Sequence, residues 1–246
     1  MRLNQYISSA GLCSRRKADQ LIIEQRVKVN GEAIPFHYRV HEGDIVEVDG
    51  KLIVAKENNI YILFNKPPGI ICTAAQHIEM NIIDYINYPE RIFSVGRLDR
   101  QSEGLILLTN NGEIANQLLK EEFEVEKDYI VTVDRDITPE FIEHLSSGPK
   151  IYDPRKKSYV HTNPCVVVQL DERRFQITLS QGLNKQIRRM CRSFHYTVTT
   201  LQRIRMKSLM LGSLPLGEWR YLTEEEVDLL SRTTFVGTDT KGNRQL

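Results

Sequence analysis

One carboxylate sits where a folded chain has little use for a charge. Asp99 lies within the string S-V-G-R-L-D-R-Q-S-E-G-L-I-L-L-T, which runs from Ser94 to Thr109. Apolar Ile92, Phe93 and Val95 lead into it and Leu105 to Leu108 resume after it, so a short polar loop separates two strands of buried type. The loop brings Asp99, between Arg97 and Arg100, to the mouth of the sheet. Charge between core strands is costly unless it is paired or functional. The bland alternative is a turn aspartate with an arginine as ion-pair partner. A carboxylate kept ionised and shielded from water can attack as a nucleophile or take a proton. Burial alone would make it hold its own proton, so such a group needs a fixed cation beside it. Guanidinium suits that task because it stays charged and can engage a carboxylate through two parallel bonds.

Several elements are placed to surround such a carboxylate. Ile60 to Phe64 reads as a buried strand, followed by the stiff turn N-K-P-P-G from Asn65 to Gly69, which contains Lys66. Gly112 to Lys120 reads as a helix, Glu126 to Val133 as a strand carrying Tyr129, and Phe175 to Leu179 as another strand. Asn184 to Phe194 places Ile187 and Met190–Cys191 at helical spacing, with Arg188 and Arg189 on other faces. From Arg173 to Lys207 the chain carries Arg173, Arg174, Lys185, Arg188, Arg189, Arg192, Arg203, Arg205 and Lys207 and no acid, although the whole chain has a net charge of only +1. So one-sided a stretch predicts a phosphate-binding face rather than a self-paired surface.

The first 50 residues read as a separate small module. Leu3, Tyr6 and Ile7 fall at helical spacing before Ser8-Ser9-Ala10-Gly11 ends the helix. Ser14 is a good N-cap for a second helix, with Arg15, Arg16 and Lys17 in its first turn and Ala18, Leu21 and Ile22 on its apolar face. Basic residues at a helix N-terminus oppose the dipole, so local stability does not explain them, whereas a bound phosphate does. Val27-Lys28-Val29 and Ile45 to Val48 follow as short strands, with hairpin chemistry at Asn30-Gly31 and Asp49-Gly50. Residues 51–59 read as a polar linker, 60–230 as the larger domain and 231–246 as a flexible tail.

Composition excludes several classes. Apolar residues make up 41% and charged residues 26%, ordinary for a globular protein. No apolar run is long enough to span a bilayer and the N-terminus lacks a signal-peptide core, which predicts a cytoplasmic protein with no membrane partner. Cys13, Cys72, Cys165 and Cys191 are scattered, and the six histidines lack ligand spacing, so neither a disulfide framework nor a metal site is expected.

The string G-R-L-D…G-L-I-L-L-T-N resembles the signature of RNA pseudouridine synthases, in the branch that modifies ribosomal RNA. The N-terminal order R-L-N-Q-Y-I…S-R-R-K-A-D-Q-L-I…V-K-V-N-G…G-D-I-V-E-V resembles the RNA-binding domain first named for ribosomal protein S-four. Together they are similar to the RsuA/RluB/RluF type, over roughly residues 1–230. The resemblance implies an α+β protein: the small RNA-binding domain tethered to a catalytic domain with a mixed, mainly antiparallel sheet, the cleft crossing its middle. It implies conversion of a uridine to pseudouridine in ribosomal RNA, without cofactor or metal, by a monomer. The strings Q-G-L-N-K-Q-I-R-R-M-C and S-L-P-L-G-E-W-R-Y-L-T, with Ser102 where many members have threonine, point within that type to 23S RNA; transfer RNA stays open as a secondary substrate.

Residue by residue, the resemblance implies that Asp99 is the catalytic carboxylate and that Arg188, in Q-I-R-R-M, pairs with it. Tyr129, in E-K-x-Y-x-V, would stack on the uracil, and Arg97 would fill the gap left when the base flips out. Ile204 would line the uracil pocket. Lys66 would reach RNA phosphate or shape the floor of the site, and Arg15, Arg16, Lys17 and Arg189 would face RNA. Two rivals stand beside this: a non-catalytic RNA-binding or ribosome-assembly factor, which loss of Asp99, Tyr129 or Arg188 would have favoured, and an N-glycosidase, which usually needs a second carboxylate where only Glu103 is near.

Overall fold

The computed structural model describes residues 1–35, 37–56, 58–75, 77–120 and 125–232. At the N-terminus, α1 (Leu3–Ser9) and α2 (Arg15–Ile23) precede four short strands, β1 (Val27–Val29), β2 (Glu32–Ala33), β3 (Val46–Val48) and β4 (Lys51–Ile53), in the spatial order β2-β1-β3-β4. The Ser14 side chain caps α2 by accepting from the Lys17 backbone N–H. Leu3 and Ile7, one helical turn apart, pack with Ala18, Leu21 and Ile22 against the inward valines of β1 and β3. Asn30-Gly31 and Asp49-Gly50 all have positive φ, the paired left-handed geometry that two-residue hairpins require. The second of these turns folds Lys51 back onto Val48. Residues 51–53, expected in the linker, are therefore the fourth strand of the sheet.

The larger unit is built in chain order from β5 (Tyr61–Lys66), α3 (Ile82–Ile86), β6 (Phe93–Val95), β7 (Glu103–Thr109), α4 (Gly112–Leu119), β8 (Lys127–Val133), α5 (Pro139–Ser146), β9 (Lys150–Asp153), β10 (Ser158–His161), β11 (Val166–Gln169), β12 (Arg174–Leu179), α6 (Gln186–Arg192), β13 (Val198–Met206), β14 (Leu209–Met210), β15 (Trp219–Tyr221) and α7 (Glu224–Ser231). A nine-stranded sheet runs β11-β12-β8-β13-β7-β5-β15, with β14 added to β13 and β6 to β7. All its pairings are antiparallel except β13 with β7. The fold is α+β with a mixed, mainly antiparallel sheet. No helix among the described residues is long and apolar enough to cross a membrane. The flexible tail expected from residue 231 lies outside the described residues from 233 onward, and Ser231 itself closes α7.

The apolar run in β7 follows from burial on both faces. Leu105 and Leu107 pack with α4 and Leu230, while Ile106 and Leu108 face Ile82 and Ile86 of α3. The β8–β12–β13 half instead covers its core, Val131, Phe175, Ile177 and Leu201, with α5 and α6. The two halves meet at a parallel join only two register pairs long, Gln202 with Glu103 and Arg203 with Gly104. A cleft opens at this seam.

Gly104 makes the join possible. Its φ is +102°, and a Cβ there would lie 2.3 Å from the Arg203 carbonyl oxygen. Only a residue without a side chain lets β13 approach β7 this closely. Arg91 also donates to the Ser8 hydroxyl and Lys56 pairs with Glu90, tying the N-terminal module to the β6 end of the larger unit.

Candidate active site

The cleft has a volume of about 340 Å³. Asp99 and Arg97 reach it from the β6–β7 loop, Lys127 and Tyr129 from β8, and Arg203 from β13. Strand alternation explains the last two pairs: Lys127 and Tyr129 are two apart on one face, as are Leu201 and Arg203, and Arg203 pairs with Tyr129 in register. Tyr129 packs against the core clusters of both halves, so its ring spans the seam.

The loop carrying Asp99 is pinned from beneath. Lys66 is fully buried, and its Nζ donates to the carbonyls of Pro67 (2.8 Å), Ser102 (2.7 Å) and Arg100 (3.5 Å). Arg100 and Gly69 bond each other's carbonyls, and the Leu98 N–H donates to the Cys72 sulfur. Burial pulls the Lys66 ammonium below its ordinary pKa, partly offset by the charges of Asp99 and Glu103. Lys66 therefore supports the Asp99 loop from inside the protein. Its amine is spent on three carbonyls inside the protein and cannot reach RNA phosphate, which corrects that part of the expectation.

The expected Asp99–Arg188 ion pair is not formed. Lys185 adopts a left-handed conformation (φ 51°) at the start of α6, which turns Gln186 and Ile187 toward the cleft. Each further helical residue rotates about 100°, and Arg188 points instead to the carbonyl of Val198 (3.0 Å) and, at 3.5 Å, that of Gln101. It steadies the Asp99 loop through that loop's backbone, not through the carboxylate. Arg189 is half-buried and donates to Asn184 Oδ1 (2.8 Å) and to the Tyr152 carbonyl (3.2 Å).

Ile204 is also displaced from its expected place. Strand β13 has a bulge, because Arg203 opposes Tyr129 and Arg205 opposes the adjacent Asp128, leaving Ile204 as the extra residue. Its side chain packs against the core cluster that holds Leu63 and Leu209, and it is not among the residues that line the cleft. Leu201 and Met206 are the apolar residues that β13 contributes to the cleft. Beyond the bulge Arg205 takes up Asp128 with two bonds of 2.6 and 2.8 Å. Burial raises the Asp128 pKa, but the bonds from Arg205 and Thr178 outweigh it and leave the carboxyl below its usual range.

Three arginines of the acid-free stretch are paired within the protein. Acids from elsewhere in the chain return to part of it, Asp136 to Arg173 and Asp128 and Glu126 to Arg205, and Asp171 in the preceding turn pairs with Arg174. Lys207 is held by the carbonyls of Leu230 and Arg232. Arg97, by contrast, is exposed at the cleft mouth with no ion-pair partner among the described residues, Glu103 included. Arg15, Arg16 and Lys17 are exposed on the first turn of α2, where no acid accompanies them.

Three cleft residues escaped the sequence analysis as site groups. Lys127 donates to the Val125 carbonyl, and burial, with Arg203 adding repulsion, pushes it down to about 8. In the sequence Arg203 is one member of a basic run. Its spacing from Leu201 on an otherwise buried strand was the available signal. Arg155, on the β9–β10 hairpin, lines the outer cleft and has no sequence signal beyond its charge.

A small helical and β-hairpin module thus precedes a sheet split by a carboxylate-bearing cleft. Residues 60–193 match the RNA pseudouridylate synthase family and residues 1–46 the S4 domain, and the chain belongs to the RNA pseudouridine synthases. Among relatives it is 45% identical over 228 residues to the dual-specificity RNA pseudouridine synthase RluF of Salmonella typhi, covering 92% of this chain and 77% of that one. It is 35% identical over 238 residues to the ribosomal large subunit pseudouridine synthase B of Bacillus subtilis, covering 93% and 95%. A solved structure described as a pseudouridylate synthase superposes with a TM-score of 0.66 at 27% identity, covering 94% of this chain and 99% of that one.

Proposed function

We propose that the protein converts a uridine of ribosomal RNA, in 23S RNA, to pseudouridine, with Asp99 as the catalytic carboxylate, and that it works in the cytoplasm. The observation that carries this is the meeting of Asp99 and Tyr129 on one cleft at the seam of the sheet. The name of one relative, a ribosomal large subunit pseudouridine synthase, supports the ribosomal substrate. The reaction breaks the bond from C1′ to N1, turns the uracil, joins C1′ to C5, and moves the C5 proton so that N1 ends protonated. Substrate and product are isomers, so no co-reactant is consumed.

Asp99 acts on the ribose or the base as nucleophile, or on the ribose as base, while Lys66 holds its loop rigid from below. Tyr129 supports the ring, and its hydroxyl assists proton transfer at C5. Arg97, unpaired at the mouth, takes the space of the extruded base. Arg188 steadies the Asp99 loop through Gln101. Residues 1–50, with Arg15, Arg16 and Lys17, grip phosphate and tether the catalytic unit to the RNA.

The test is Asp99→Asn in single-turnover assays on 23S and transfer RNA transcripts, run with binding curves. The amide keeps the shape but can neither attack nor accept a proton, so conversion should vanish while affinity changes by less than a few-fold. Near-normal turnover would remove Asp99 from the chemistry. An abasic product in the wild-type reaction would identify a glycosidase instead.

A further inference from the structure

Arg203 is a buried cation without a counter-charge. It is 3% exposed, its Nε donates to the Leu105 carbonyl at 2.7 Å, and its Nη2 is buried with no partner. No carboxylate among the described residues forms an ion pair with it. A desolvated guanidinium in this state is costly unless an anion or strong acceptor arrives to complete it. It lines the cleft together with Ser102, whose hydroxyl is also buried and unpartnered. Two polar groups beside one cleft, both next to the Gly104 join, thus lack partners within the protein, and each calls for an explanation.

The chemistry of the proposed reaction supplies a partner for both, and the inference rests on that reading. When the C1′–N1 bond breaks, its electron pair passes to N1, and the charge of the detached ring is shared by the O2 and O4 carbonyl oxygens. We propose that Arg203 is a catalytic residue that donates from its guanidinium to one of these oxygens, with Ser102 as second donor on the same edge. Its charge then stabilises the ring most in the interval when the ring is anionic and free to turn, which lowers the barrier more than it tightens ground-state binding. Gly104 belongs to this device, since its missing Cβ lets β13 bring Arg203 onto β7. Tyr129, paired with Arg203 across the strands, supports the same ring from β8.

The test replaces the acceptor. An RNA fragment containing the uridine that the enzyme converts is made with uridine, 2-thiouridine or 4-thiouridine at that position. Sulfur accepts hydrogen bonds poorly, although it makes the ring anion intrinsically easier to form. One of the two thio substrates should be converted about 10- to 100-fold more slowly by the wild-type enzyme in single turnover, the usual worth of a hydrogen bond to a charged group. The RNA affinity should stay within about two-fold. Arg203→Lys should slow uridine conversion by a similar factor and erase the discrimination between oxygen and sulfur; a role in folding alone would lower the rate and leave the discrimination unchanged. Ser102→Ala should give a smaller loss of the same kind.

Equal wild-type rates for all three RNAs overturn the assignment, and this arm stands even if Arg203→Lys does not fold. Unchanged discrimination in a folded Arg203→Lys enzyme overturns it as well. Failure of the wild-type enzyme to convert the unmodified RNA refutes the proposed reaction itself, and is thereby distinguished from failure of the Arg203 assignment.

Discussion

Replacing Gly104 by alanine adds one methyl group at the point where the two halves of the sheet join. The new Cβ would lie 2.3 Å from the carbonyl oxygen of Arg203, 2.7 Å from its nitrogen and 3.0 Å from its carbonyl carbon. All three are backbone atoms, so no side-chain rotation relieves the clash. The φ of +102° adds a conformational cost of about 1–3 kcal/mol for a residue with a Cβ. Moving β13 away also loosens the Arg203–Leu105 bond, worth about 1.5–3 kcal/mol because its donor is charged. The expected destabilisation is about 3–5 kcal/mol, or a fall in Tm on the order of 10 °C. Trp219 is the single tryptophan and lies on β15 of the same sheet, so its fluorescence in urea reports this unfolding. Gly31→Ala is the control: φ is also positive (+84°) but nothing lies within 4 Å of the new Cβ, and about 1 kcal/mol is expected with turnover intact. A Gly104→Ala enzyme within about 1 kcal/mol of wild type, with unchanged single-turnover rate, would refute the account of the seam.

Two further outcomes follow from charges whose surroundings are defined. Lys127 is held at about 8 by burial and by Arg203, against an ordinary 10.5, so between these values the unfolded chain binds more protons and the folded protein gains stability as pH rises. The urea midpoint should therefore climb from about pH 8 to 10 more in wild type than in Lys127→Met, and parallel curves for the two would contradict the assignment. Substituting Arg15, Arg16 and Lys17 together by alanine should weaken RNA binding and flatten its salt dependence by about one unit of log–log slope per lost phosphate contact, with the rate at saturating RNA little changed; normal binding with slow turnover would instead make the N-terminal module a device for positioning the target base.

Local features of the sequence determined a good part of this protein. Ser14 before a basic first turn, the Asn30-Gly31 and Asp49-Gly50 turns, and the runs from Ile60 and Leu105 specify their own elements, because capping, positive φ and two-sided burial are decided within a few residues. The family and the α+β class were legible through strings of contiguous motif, and Asp99 was marked as a site residue by a charge set between apolar strands. Partnerships were not legible in the same way. Arg188 turns to carbonyls because the left-handed Lys185 sets the rotation of α6, and Ile204 leaves the cleft because one extra residue bulges from β13. Part of the acid-free stretch is paired because Asp136 and Asp128 come to Arg173 and Arg205 from other parts of the chain, while Asp171 pairs with Arg174 from the turn just before it. Arg203 acquires its meaning only at the seam, where Gly104, far away in sequence, permits the approach that buries it. Burial and pairing are properties of the whole packing, and a strand's pattern shows which face a residue takes but not what waits on that face.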